Sequence, residues 1–228
     1  MLIYAHRGSS HTHPENTLSA FDAAISEGAD GIETDLRLTL DRRIVLAHDD
    51  TLRGPDGEPM RISDATLSEL RRHSGTGAGA FATLDQLLDL TLGRVLLNLE
   101  IKDPAVTPHL GKYLRGGEDL LITSFNEGAV LEAKALYPNI EAGLVTNRWD
   151  NQAESFAKTH KLDAVSLKKR AFTAEALTAC ASLGARLLLW VVNDPSEAEE
   201  FRDMGLDGVF SDNPGILVDA LGAKDRRG

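Results

Sequence analysis

The stretch DGIETDLRLTLDRRIVLAHDD, residues 30–50, decides how the rest of the chain is laid out. Two apolar runs, GIETDL (31–36) and IVLAH (44–48), flank the turn LDRR. A parallel crossover needs on the order of a dozen residues, so a turn this short sends the second run back antiparallel, as a hairpin. IVLAH is then an accessory strand, and GIETDL is one of the strands that build the main sheet. Side chains two apart on a strand share a face, which aligns Glu33 with Asp35. The returning run carries His48 and Asp49 back toward them. Two carboxylates and a histidine gathered in this way suit a divalent cation and proton transfer.

Working outward, seven more apolar runs occur: LIYAH (2–6), VLLNLEI (95–101), LLITSF (120–125), EAGLV (141–145), DAVSL (163–167), RLLLWVV (186–192) and GVFS (208–211). From residue 95 onward they begin about 20–25 residues apart, the spacing of a repeating βα unit. Their apolar character is continuous, as expected of parallel strands buried on both faces. Helical segments fill the gaps: ENTLSAFDAAISEG, TLDQLLDLTL, NEGAVLEAKALY, NQAESFAKTHK, TAEALTACASLG and DPSEAEEFRDMG. Several open on Thr, Asp or Asn and close on Gly, the residues that cap helices. Eight such units predict an α/β fold, a closed (β/α)8 TIM barrel with a β-hairpin and a small insertion after the second strand.

The 228 residues fit one domain, 1–228. The one break in composition lies between His48 and Leu84, where TLRGPDGEPM and SGTGAGAFAT flank a short helix, ISDATLSELRRH. This segment (48–84) reads as an insertion over the barrel mouth, too small for a core of its own. The tail GAKDRRG reads as frayed. A net charge of −11 argues against an electrostatic nucleic-acid partner. The single cysteine, Cys180, excludes an intrachain disulfide and reads as a buried small hydrophobe. No signal peptide and no long apolar run are present, so the expectation is a cytoplasmic protein without membrane insertion, its oligomeric state left open.

Polar residues fall at the C-terminal ends of the strands, where sites of such barrels are built. His6-Arg7-Gly8 end the first, Glu33 and Asp35 lie on the second, and Glu100 and Lys102 end the third. Ser124-Phe125 follow the fourth, Trp190 and Asn193 the seventh, and Ser211-Asp212 the eighth. Buried ionic groups are costly unless paired or metal-bound, so this cluster points to a site. The plain alternative is an ion-pair network that closes the barrel end.

In order along the chain, HRG, PENT, ETD, HD, NLEIK, TSF, WVVN and GVFSDNP resemble the glycerophosphodiester phosphodiesterase family, from residue 6 to 214. The resemblance implies a (β/α)8 barrel, a divalent metal, and hydrolysis of small glycerophosphodiesters to glycerol 3-phosphate and an alcohol. It makes Glu33, Asp35 and Glu100 the metal ligands, and their hard oxygens suit Mg2+ or Ca2+, with Mn2+ a further fit. It makes His6 and His48 the acid–base pair, in an order the sequence leaves open. Arg7 and Lys102 would hold the phosphate, and Phe125 and Trp190 would wall the substrate pocket, although strand-end aromatics are more often core. Glu15 and Asn16 read as the opening of the first helix after Pro14, or as partners of His6 or Arg7. Asp49 reads as an orienting neighbour. Where the family continues HD with a dipeptide and then L-x-R-T-T, HDDTLRGPDG lacks that threonine pair. Competing readings are a related barrel phosphodiesterase acting on lysophospholipids (phospholipase D type) or an inactive phosphoglycerol- or metal-binding barrel.

Overall fold

Eight parallel strands close into a barrel in a computed structural model that describes residues 1–74, 80–114, 116 and 119–222. They are β1 (Leu2–His6), β2 (Gly31–Leu38), β6 (Leu96–Ile101), β7 (Leu120–Ser124), β8 (Glu141–Thr146), β9 (Ala164–Lys168), β10 (Arg186–Trp190) and β11 (Gly208–Ser211). Each neighbours the next, and β1 pairs with both β11 and β2, which closes the ring. Helices α1 (Leu18–Ser26), α3 (Leu84–Thr91), α4 (Glu127–Leu136), α5 (Asn151–His160), α6 (Ala174–Leu183), α7 (Pro195–Asp203) and α8 (Pro214–Leu221) surround it. Two apolar clusters join helices to strands, one built around Phe21, Ile32 and Leu87, the other around Val165, Leu187 and Leu217. Cys180 is fully buried in the second, and burial pushes its thiol up to about 12.

The barrel interior is divided along its axis. Its base is filled by Tyr4, Leu121, Ala164, Leu188 and Phe210, with Tyr4 and Phe210 in ring contact at 5.3 Å. Gly31 admits this plug, because a Cβ there would lie 2.5 Å from the Tyr4 ring. Above the plug the inward residues turn polar. Glu33, Asp35, Asn98, Glu100, Thr123 and Ser166 are all buried.

The hairpin forms as the short turn requires. Strand β3 (Ile44–Leu46) runs antiparallel to the far end of β2, with Leu36 opposite Leu46 and Leu38 opposite Ile44. One edge of β2 serves two partners in succession. The carbonyl of Glu33 accepts from the Arg7 N–H at 3.0 Å, and the carbonyl of Asp35 accepts from the Ala47 N–H at 3.0 Å. Thus β3 continues the edge where β1 stops.

The insertion contains the small hairpin β4 (Thr51–Arg53) and β5 (Pro59–Arg61), then α2 (Leu67–Ser74). Its apolar side chains, Ile62, Leu67 and Leu70, share one cluster with Val45 and Ala47 of the β3 arm. It rests on the hairpin rather than on a core of its own. The middle of the glycine-rich run and, after Gly222, the tail that the sequence reading takes as frayed lie outside the described residues.

One local expectation differs from the structure, and two further elements had none. The first helix starts at Leu18, three residues later than expected, because Thr17 is its cap and accepts from the Ala20 N–H at 3.2 Å. Glu15 and Asn16 therefore precede the helix instead of opening it. Between β6 and β7 the chain forms a 3-10 stretch, Pro104–Lys112, where Pro108 removes a hydrogen-bond donor and disfavours a regular α-helix. A last helix, α8, follows β11 and had no counterpart among the expected segments.

Candidate active site

Barrel closure brings the strand-end residues to one cleft at the mouth of the barrel. His6, Arg7, Glu33, His48, Glu100 and Lys102 line one side. Phe125, Val145, Ser166 and Trp190 line another, with Asn98, Thr123 and Phe210 completing the lining. Strand β9, which carries Ser166, stands four strands from β2 in a ring of eight, and so across the barrel from Glu33. None of the described residues of 49–84 lines this cleft. A second depression between the first βα loop and the insertion includes Glu15, Asp49 and Phe81, and it shares His48 with the first.

Glu33, Asp35 and Glu100 present one oxygen each within 4.8 Å of one another. Register explains the convergence: β2 and β6 pair so that Asp35 lies opposite Glu100 and Glu33 opposite Asn98. Two cations flank the trio. Lys102 Nζ lies 3.2 Å from Asp35 Oδ1 and also bonds the Glu100 carboxylate, while Arg7 Nε lies 3.2 Å from Asp35 Oδ2. Burial, reinforced by Asp35 and Glu100, pushes the Glu33 carboxyl well above its ordinary range. Burial alone would also raise Asp35, but Lys102 and Arg7 outweigh it and hold that carboxyl low. For Glu100 burial prevails and the carboxyl is raised, with Lys102 opposing. Glu33 Oε1 is buried with no hydrogen-bond partner among the described residues. Three hard oxygen donors, one of them unpartnered, fit a divalent cation of the Mg2+ or Ca2+ kind.

The residues around the trio are tied down in turn. Asn16 is buried; its Nδ2 donates to Asp35 Oδ2 at 2.9 Å, and its Oδ1 accepts from Thr34 Oγ1 at 2.7 Å. Glu15 accepts from Arg7 Nη1 at 2.9 Å, so it engages the site instead of capping α1. Arg7 takes a left-handed backbone, φ 59°, which aims its main-chain N–H at Glu33 Oε2, 3.0 Å away. Gly8 follows with φ +86°; a Cβ there would lie 2.7 Å from the Ala20 main chain, so HRG docks on α1 only with glycine in third place.

The two histidines are held differently. His6 Nδ1 lies 2.7 Å from Asp212 Oδ1, at the end of β11. His48 Nδ1 lies 2.9 Å from Asp49 Oδ1, and Asp49 is 81% exposed. The main-chain carbonyl of His48 accepts from Arg37 Nε at 2.9 Å and also from Arg37 Nη2. The sequence marks Asp212 and Asn193 only as polar residues at strand ends. The opposite wall is aromatic. Phe125 and Trp190 meet edge to face at 5.9 Å, with Lys102 Nζ over the Phe125 ring at 5.5 Å and Lys168 Nζ over Trp190 at 5.1 Å.

A closed barrel with an acidic trio, two histidines and two cations at one mouth is the build of a phosphodiester-cleaving site. Residues 6–216 match the glycerophosphoryl diester phosphodiesterase family, and the chain belongs to it. It is 32% identical to a glycerophosphodiester phosphodiesterase of Caldanaerobacter subterraneus subsp. tengcongensis, across 96% of this chain and 97% of that one. Among solved structures it is similar to an Oleispira antarctica phosphodiesterase in complex with the product sn-glycerol-3-phosphate, with TM-score 0.87, 29% identity and coverage of 97% and 96%. It is also similar to the glycerophosphodiester phosphodiesterase of Thermotoga maritima, with TM-score 0.83, 26% identity and coverage of 96% and 97%. Among the described residues no helix is long and apolar enough to cross a membrane.

Proposed function

We propose that this chain hydrolyses small glycerophosphodiesters to glycerol 3-phosphate and an alcohol, with a divalent cation held by Glu33, Asp35 and Glu100. The observation that carries the reading is the convergence of these carboxylates with His6, His48, Arg7 and Lys102 on one cleft. When bound, the cation supplies a Lewis acid that polarises the phosphoryl oxygens. Arg7 and Lys102 flank the same point and balance charge that develops on the phosphoryl oxygens. Phosphodiester cleavage needs one proton removed from the nucleophile and one delivered to the leaving alkoxide, and imidazoles suit both near neutrality. His6 and His48 take those two roles. Phe125 and Trp190 form an apolar wall for the carbon skeleton of the substrate. The product complex of the Oleispira relative supports a glycerol phosphate arm in a cleft of this kind.

The direct test strips the protein with EDTA and restores Mg2+, Ca2+ or Mn2+. It is then given glycerophosphocholine, glycerophosphoethanolamine, glycerophosphoglycerol and a lysophospholipid, with glycerol 3-phosphate as the readout. Metal-dependent release from at least one small diester is expected. Metal binding without turnover of any of them would replace this reading with a binding protein.

A further inference from the structure

We propose that Asp212 is the positioning residue of His6, and that Asn193 clasps Asp212 in that role. The inference rests on the reading of His6 as a proton-transfer group.

A carboxylate only accepts hydrogen bonds, so the 2.7 Å contact from Asp212 Oδ1 assigns the neutral ring's proton to His6 Nδ1. Nε2 is then the nitrogen left to exchange a proton. His6 lines the cleft, and Nε2 has no hydrogen-bond partner among the described residues. In the other tautomer Nδ1 and Oδ1 would face one another as two acceptors, so Asp212 sets the tautomer as well as the ring plane.

Asp212 is fixed from several sides. Its Oδ2 accepts from Asn193 Nδ2 at 2.8 Å, and its own N–H donates to Asn193 Oδ1 at 2.8 Å. Asn193 Oδ1 also accepts from Ser211 Oγ at 3.0 Å, which permits only one orientation of the amide. The Asp212 carbonyl accepts from the His11 N–H at 2.9 Å, and Ser10 Oγ lies 3.4 Å from Oδ1. The clasp therefore joins the loops after β1, β10 and β11, three neighbours in the barrel. Burial would raise the Asp212 carboxyl, but hydrogen bonds from His6 and Asn193 outweigh it and hold it below its usual range, in the accepting form.

A side-chain swap tests the clasp. In Asp212→Asn the new amide brings a donor to Asn193 Nδ2, itself a donor, and the pair is broken. Adding Asn193→Asp reverses both polarities and restores every bond: the new carboxylate accepts from position 212 and from Ser211, while Oδ1 of the new amide still accepts from His6. Asp212→Asn is expected to lower kcat about 10²-fold, with KM within about threefold, because the loss falls on the transition state. The double variant should recover at least about tenfold of that kcat. A second readout needs no activity: in 15N spectra taken where the ring is neutral, His6 should be the Nδ1–H tautomer in the wild type and a mixture in Asp212→Ala. Near-wild-type kcat in Asp212→Asn, a double variant no better than the single one, or an Nε2–H tautomer in the wild type would each overturn the proposal. Absence of turnover on every diester would instead remove the catalytic reading of His6, and the tautomer would still decide whether Asp212 sets the ring.

Discussion

The site has two halves built on different principles, and each contributes one histidine. His6 ends a barrel strand, is reached from the end of the adjacent strand by Asp212, and is 18% exposed at its side chain. His48 lies past a three-residue strand that has β2 as its strand neighbour; its side chain is 40% exposed and its carboxylate neighbour stands in solvent. The first is held through its ring, the second through its main chain, by the Arg37 fork on its carbonyl. A side chain at the barrel rim can be oriented by neighbouring strands. One on an accessory hairpin has to be oriented by the hairpin itself, and Arg37 lies on the strand that the hairpin folds back from.

Four substitutions would break or sharpen this contrast. The largest effects are expected from His6→Ala and His48→Ala, each losing at least about 10²-fold in kcat. Calorimetric titration with Mg2+ or Ca2+ should show divalent-cation affinity unchanged in both. If either retains near-normal turnover, the two halves do not share the chemistry. Arg37→Gln comes next, with kcat lower by about tenfold and KM little changed, less than the roughly 10²-fold that a 1 Å misplacement can cost. An equal loss in a double variant with His48→Ala, compared with His48→Ala alone, would show that Arg37 acts elsewhere. Asp49→Asn should be smallest, within about threefold in kcat, because an exposed ion pair contributes little. A loss as large as that expected for Asp212→Asn would erase the distinction between the halves. Steady-state kinetics on one diester at fixed metal concentration reads all four.

Much of the barrel was legible because its signals are local. The LDRR turn is too short for any connection but a hairpin, and each apolar run is bounded by capping residues such as Asn126, Asp150 and Thr173, which accept from the first turns of their helices. The 3-10 stretch was not legible, because Pro104 and Pro108 interrupt the 3.6-residue period that marks a helix. Helix α8 escaped because PGILVDAL carries no polar stripe to set its phase. Within the site, spacing two apart already placed Glu33 beside Asp35 and Glu100 beside Lys102. Partners brought together by ring closure had no such signal. Asp212 meets His6 across 206 residues of sequence, and no pattern within either segment announces the other. Glu15 left two readings open for a related reason: a carboxylate after proline is also what a helix start looks like, and only the fold of HRG selects the Arg7 partner.

The apolar plug at the base of the barrel has a consequence for traffic. Tyr4, Leu121, Leu188 and Phe210 fill the floor, so the cleft opens at the strand C-terminal ends and not through the base. A molecule that enters at the mouth therefore leaves by the mouth, because the packed base offers no passage to the far end of the barrel.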